Sequence, residues 1–412
     1  MRRFNPTFRP MAVKRPAPLM FKALAAGMLA SYVPGIVPLP VSISYLGWML
    51  PLLMAGFLLL MRGALVRFPV WIWAPWVMMV AIYAVFSDTE NALQRSIMLL
   101  VPVAVGAACS GIAVDDALLD RAKRWMKIFT LIFLLAAGVS VGILTQGSLA
   151  DVSGFAAGSI TASLLACWFV AWYAAGDTRA RWWALLMVLI PVAANTRTGM
   201  VAVALALPLT LAPLKLSRRL IAVAILVGLA VLVFQSERVQ QKMFFSGSGS
   251  VSEALTGLQD LISGNAGDVG DFDTSGRAAM SLALTSHLKE AYWMGHGANT
   301  TEPISLAVAG VTHPHNDWLR LRYEYGLIGT VLFALTLLAQ TLHAVRQARR
   351  SPLGGALLLY AGASAFIPMV IFMLSDNVIL YAAWFGNLQF AFLGLGYAYQ
   401  LRQVPGPIGS PA

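Results

Sequence analysis

The chain has 412 residues, of which 58% are hydrophobic and only 11% charged, with a net charge of +11 and a mean hydropathy of +0.73. Soluble domains carry roughly 25% charged residues, so this composition excludes an ordinary water-soluble protein and points to a chain solvated by lipid. Both cysteines, Cys109 and Cys167, fall inside apolar runs, where a thiol packs as a small hydrophobe rather than forming a disulfide or metal site.

In chain order, residues 1–18 are basic and punctuated by proline. The apolar run that follows is too long for a signal-peptide core and is read as an uncleaved first span. Further apolar runs lie near 42–61, 68–86, 96–113, 125–145, 155–175, 181–195, 198–213, 219–235, 326–345, 355–374 and 378–399. Most approach the ~20 residues that cross a ~30 Å hydrocarbon core at 1.5 Å per residue. The expectation is an all-α polytopic membrane protein with about twelve transmembrane helices. Spans 1–9 would occupy 1–235, an extramembrane loop 236–325, and spans 10–12 with a tail 326–412. The seventh and eighth runs are short and joined only by Asn195-Thr196-Arg197-Thr198, which puts that turn at the membrane surface.

The Lys/Arg distribution sets the orientation. Twenty-one fall in alternate segments that include the N-terminus, six lie in the long loop, and only Arg95 and Arg197 occupy the short connections on its side. Both termini are therefore expected in the cytoplasm and the loop outside. The basic excess suits anionic membrane lipids and gives no reason to invoke nucleic acid.

The loop holds ten Asp/Glu against six Lys/Arg. After the flexible Ser/Gly run 246–250, an amphipathic stretch is expected at 251–262. A helix N-capped by Ser275 is expected to run to about Trp293. Following Gly295-His296-Gly297, Thr312 is the expected cap of a last helix with Pro314 in its first turn.

Four features carry chemistry. Arg197, flanked by Thr196 and Thr198, offers a guanidinium fork and hydroxyls suited to a phosphate or pyrophosphate; the alternative is an interfacial arginine that snorkels to water. Arg277 sits in the first turn of a helix, where arginine and free N–H groups favour an oxyanion; the alternative is an ordinary exposed arginine. In 312–326, helical spacing puts Asn316, Arg320 and Tyr323 on one face and His315, Leu319 and Arg322 on the next. His315 could accept a proton from a sugar hydroxyl; the alternative is an amphipathic stretch at an interface. His313 and His315 lack a third metal ligand at a known spacing. Trp293 and Trp318 read as interface anchors, and Asp376-Asn377 as a helix cap or a substrate contact.

Thr-Arg-Thr-Gly at 196–199, Ser-Gly-Arg at 275–277, Gly-His-Gly at 295–297, and His-Asn-x-x-Leu followed by Tyr-Gly-Leu-Ile-Gly over 315–329 together resemble the O-antigen ligase and polymerase superfamily. The resemblance implies a GT-C-type glycosyltransferase of the bacterial inner membrane. Its site would face the periplasm, taking glycan from undecaprenyl diphosphate and, in the ligase branch, placing it on lipid A-core. It further implies Arg197 and Arg277 as diphosphate ligands and His315 as the base, with Asn316 beside it and His313 as an extra histidine. Arg320 and Tyr323 would line the site or anchor the helix. Neither metal nor cofactor is demanded. An O-antigen polymerase or a protein O-oligosaccharyltransferase would use the same donor. A secondary transporter of an anion would instead need paired broken helices and internal symmetry, and the sequence displays neither.

Overall fold

A computed structural model describes residues 17–33, 41–62, 66–112, 116–144, 156–194, 196–212 and 277–399, with scattered residues between 214 and 256. The basic N-terminal segment, Asn195, most of the ninth apolar run, most of 251–276 including Ser275, and the tail after Tyr399 lie outside the described residues.

The described residues form helices without strands: α1 (Ala17–Tyr32), a 3-10 turn (Val41–Tyr45), α2 (Leu46–Arg62), α3 (Val70–Phe86), α4 (Ala92–Ser110), α5 (Asp116–Leu144), α6 (Ala156–Ala174), α7 (Ala180–Ala193), α8 (Arg197–Thr210), α9 (Arg277–His287), α10 (Thr301–Ala309), α11 (Asp317–Ala348), α12 (Leu353–Ser364), α13 (Phe366–Phe372) and α14 (Gly386–Tyr399). Each predicted span except the ninth coincides with a helix or helix pair. Four segments, Ile43–Met61, Ala92–Ser110, Asp317–Ala348 and Leu353–Phe372, are long and apolar enough on their own to cross a membrane. Shorter apolar helices stand beside them, α3, α7 and α8 among them.

Sequence chemistry decides which helices lie inside. All fourteen residues of α14 are buried, and α12 is buried from Gly354 to Ser364. A helix apolar all round belongs in the middle of a bundle. Small residues allow the close approach: a Cβ on Gly394 would lie 2.3 Å from the Gly106 carbonyl oxygen of α4, and one on Gly362 only 2.5 Å from Leu393. Buried serines and threonines such as Thr130, Ser163 and Thr210 bond carbonyls of their own helix, and some larger polar side chains pair across helices. Gln340 accepts from Trp73 Nε1 at 2.9 Å and donates to the Tyr397 hydroxyl at 2.9 Å. Cys109 and Cys167 are free and buried, as expected. The outer rim exposes Leu53, Leu60, Trp71, Val85 and Leu135, the surface lipid requires.

Regular helix stops at one end of the bundle. α11 is broken at Gly326 (φ 67°, ψ −170°). In an unbroken helix the N–H groups of Leu327 and Ile328 would bond the carbonyls of Tyr323 and Glu324. Those carbonyls instead accept from His296 N (2.9 Å) and Gly297 N (3.0 Å), while Leu327 N and Ile328 N donate to Tyr292 O (3.0 Å) and Trp293 O (3.2 Å). The released groups of Tyr323, Glu324, Leu327 and Ile328 are thus satisfied by the 292–297 turn, as burial away from water demands. The splice also explains two glycines. A Cβ on Gly326 would meet Trp293 O at 2.3 Å, and one on Gly295 (φ 75°) would meet Gly326 N at 2.4 Å.

Several sequence expectations need correction here. The helix expected to reach Trp293 ends at His287 and gives way to turns. α10 was not foreseen; Gly310 in the left-handed region closes it. α11 begins at Asp317, not after Thr312, because the Asn316 side chain accepts from Leu319 N at 2.9 Å and makes the N-cap. Irregular backbone over 373–385 takes in the end of the eleventh apolar run and the start of the last, ahead of α14. Broken helices, which the sequence had not displayed, are therefore present. Trp318 is no surface anchor: its indole donates to Val370 O at 3.1 Å.

Candidate active site

Thr-Arg-Thr-Gly opens α8, and three of its residues fix the position of the fourth. Thr196 bonds the Ser159 hydroxyl of α6 and the Pro191 carbonyl of α7. Thr198 Oγ1 meets Ser375 Oγ at 2.9 Å. Gly199 brings α8 close, since a Cβ there would sit 2.9 Å from Ser159 and 3.0 Å from Pro191. Arg197 is half-buried between these anchors.

The irregular segment that begins after α13 is stapled to the start of α11. Trp318 N donates to Met373 O at 3.3 Å, and Ile379 N donates to the fully buried Asp317 carboxylate at 2.8 Å. Between these points His315 Nδ1 lies 3.4 Å from Asp376 Oδ1 and 3.4 Å from Asn377 Nδ2. Asn377 N donates to the same Asp376 oxygen at 2.8 Å, fixing the carboxylate. With the Asn377 amide turned so that its oxygen rather than its nitrogen faces Nδ1, the Asp376 carboxylate favours the tautomer with its proton at Nδ1, which leaves the Nε2 lone pair to act as a base. The His315 side chain is 42% exposed and Asp376 only 9%, so the imidazole is held from behind and open in front. His315 is not helical; its φ of 51° is uncommon for a residue with a Cβ.

Thus Thr198–Ser375 and Asp376–His315 bring Arg197 and His315 to one end of the bundle. Asp376 and Ser375 were not singled out as partners of these residues. The only sequence signal was an Asp-Asn pair at the end of an apolar run, read chiefly as a cap.

A second polar cluster supports the first. Arg320 Nε donates to Glu324 Oε1 at 3.1 Å, one helical turn away, with both side chains buried. Thr301 of α10 donates to the same oxygen at 2.6 Å. The charges of Asp317 and Glu324 both act on Arg320. Arg95 of α4 lies 3.7 Å from Glu302, and Asn299 donates to Glu302 at 2.7 Å and to Glu90 O at 2.8 Å. Arg95 could have been found in the sequence by the signal that found Arg197: it was the other cation in a short connection. Burial, with the positive charges of Arg95 and Arg320 nearby, pushes the His313 imidazole down to about 3. His313 is therefore neutral, and a poor proton acceptor, at neutral pH.

Of the remaining sequence candidates, Tyr323 turns away from this cluster. Its ring stacks on His296 at 4.3 Å and packs with Met280 and Leu284 of α9. Asn316 is occupied as the α11 cap, and Arg320 is locked in its buried ion pair rather than lying on an open face with Asn316 and Tyr323. Arg277 is the first residue of α9. Among the described residues no three His, Cys, Asp or Glu side chains converge to hold a metal ion.

A model of the family described as O-antigen ligase matches residues 182–334. That segment of the chain is similar to the O-antigen ligase family. The match takes in Arg197, Arg277, the spliced glycines and the His313–Arg320 cluster, while Ser375 and Asp376 lie beyond it. No curated protein matches the chain. The apolar helices suggest a membrane protein, and the family that the segment resembles is one of glycosyl-transfer enzymes acting in general on lipid-linked glycan and lipid A-core.

Proposed function

We propose that the chain is an O-antigen ligase of the bacterial inner membrane, moving glycan from undecaprenyl diphosphate to lipid A-core in the periplasmic leaflet. The observation that carries this reading is the His315–Asp376 pair, tied through Ser375 and Thr198 to Arg197. These contacts support a reading in which His315 serves as proton acceptor and Arg197 as a phosphate-binding cation of the same site.

His315 Nε2 takes the proton of the acceptor sugar hydroxyl. The oxygen attacks the anomeric carbon from the face opposite the diphosphate, and the bond from that carbon to the diphosphate oxygen breaks. A single displacement inverts the anomeric centre, as in single-step glycosidases. Negative charge collects on the leaving diphosphate, where Arg197 and Arg277 offset it; electrostatic stabilisation of this kind is commonly the largest catalytic effect. Asp376 holds the imidazole through Nδ1 and balances the imidazolium that forms. His313, kept neutral by its surroundings, is the poorer of the two histidines as a base. The Arg320–Glu324 pair and its partners hold the start of α11 in place. This sequence of steps requires no metal. The twelve-span GT-C architecture would hold the lipid tail laterally.

Reconstitution of the purified chain with undecaprenyl-diphosphate-linked O-antigen and lipid A-core tests the reading. Glycan appearing on lipid A-core, and absent with His315→Ala, supports the ligase. Glycan lengthening on the polyprenyl carrier would make the chain a polymerase, and transfer only to protein would make it an O-oligosaccharyltransferase. Transfer to no acceptor, with an anion crossing the membrane instead, would favour the transporter, which the broken helices also suit.

A further inference from the structure

The turn joining α6 to α7 lies at the opposite end of α7 from Arg197; the 14 residues of α7 put roughly 21 Å between them. This turn borders a cavity of about 370 Å³ lined by Lys123 and Lys127 of α5, Asp177 and Arg179 of the turn, and the rings of Trp172 and Trp183. An adjoining cavity of about 360 Å³ shares Lys123, Trp172 and Asp177 and reaches the head of α12. Volumes of this order are typical of small-ligand sites.

Three cations and one carboxylate line the first cavity. The carboxylate is already engaged: Asp177 lies 3.8 Å from Lys123 Nζ and accepts the Arg179 backbone N–H at 3.2 Å. Lys123 also stands 4.4 Å over the Trp172 ring. Among the described residues no carboxylate pairs with the side chains of Lys127 or Arg179, so positive charge is left over at the mouth. An anion seated at the mouth would offset that charge.

The surface beside the cavity decides between a free anion and an amphiphile. On α5, Lys127 is followed at four-residue steps by Leu131 and Leu135, which are 49% and 68% exposed; on α7, Leu185 and Leu189 repeat the step, each 48% exposed. Four-residue spacing keeps such residues on one helix face. A cationic mouth therefore continues into apolar stripes, the polarity of a phospholipid. We propose that this cavity binds the headgroup of an anionic phospholipid, with the phosphodiester between Lys127 and Arg179 and the acyl chains along the leucines of α5 and α7. Basic pockets between membrane helices bind such headgroups by the same electrostatics.

Native mass spectrometry of the purified chain, offered phosphatidylglycerol or phosphatidylcholine with identical acyl chains, tests the proposal. The expected result is roughly tenfold or greater preference for phosphatidylglycerol. That preference should be lost in Lys127→Gln/Arg179→Gln and kept in the charge-preserving Lys127→Arg/Arg179→Lys. Equal retention of the two lipids, or an unchanged preference in the glutamine variant, would overturn the proposal. So would displacement of the lipid by an equal concentration of inorganic phosphate, which would point to a free-anion site. The readout is binding, so it stands or falls independently of glycosyl transfer.

Discussion

α14 and the first nine residues of α11 solve the problem of burial in opposite ways. α14 is largely apolar, with Asn387 and Gln389 its buried amides, and packs by small residues on α4 and α12. The start of α11 buries Asp317, Arg320 and Glu324 and then breaks its own hydrogen-bond ladder at Gly326. The first arrangement is what lipid and packing favour unaided. The second is costly unless each charge and each released backbone group finds a partner, and the partners come from α10, the 292–297 turn and the 373–379 segment. The costly features gather where the proposed chemistry lies. This contrast suggests that the irregular end is built to hold the His315 cluster, with α14 and α12 as its fixed support.

The sharpest way to break this contrast is to remove its chemistry. His315→Ala should lower glycosyl transfer by roughly 10²–10⁴, the usual contribution of a general base, with the folded yield unchanged; radiolabelled or fluorescent donor in proteoliposomes would read it. A variant of normal activity would remove His315 from the mechanism.

Glu324→Ala should produce the largest loss of stability. It strands the buried Arg320, and breaking such a pair costs about 3–5 kcal/mol. Thermal unfolding in detergent should register this loss, whereas Glu302→Ala, whose Arg95 pair is partly exposed, should lose clearly less. Equal losses would mean that the two pairs are equally open to solvent.

Gly326→Ala forces a Cβ onto Trp293 O at a left-handed backbone position. A strained position of this kind costs about 1–3 kcal/mol, and the clash adds to it. Gly138, which has open space around it, is the control, and its substitution by Ala should be neutral or mildly stabilising. The Asn316→Ala variant should lose about 1 kcal/mol through its N-cap.

A further effect is one of pH, and it grows only as the medium is acidified. His313 has its folded value lowered to about 3 from an unfolded value near 6.5. Below pH 6.5 the unfolded chain takes up a proton that the folded chain refuses, so stability falls as pH drops from about 6.5 toward 3. His313→Gln should flatten that part of the stability profile. A slope that survives the substitution would assign the proton to another group.

The sequence made the apolar core legible because periodicity and length report burial directly: every predicted span whose residues are described meets a helix. Arg197 and His315 stood out as polar residues beside apolar runs. Asp376 and Glu324 did not, because what gives them meaning is a contact across 61 residues in one case and a buried ion pair in the other. The single helical face expected for Asn316, Arg320 and Tyr323 does not form, for a related reason. Helical spacing was extended through a segment where His315 takes a left-handed backbone, and Gly326 then breaks the helix. Local pattern reads faces well within an unbroken helix and poorly across its ends.

The most direct test of the account is a double-mutant cycle on transfer rate with His315→Gln, Asp376→Asn and the pair. If Asp376 acts by holding His315, each single variant should be strongly impaired and the double variant no worse than His315→Gln alone, the non-additivity expected of groups that act as a unit. Losses that multiply, or an Asp376→Asn variant as active as the native chain, would contradict the account.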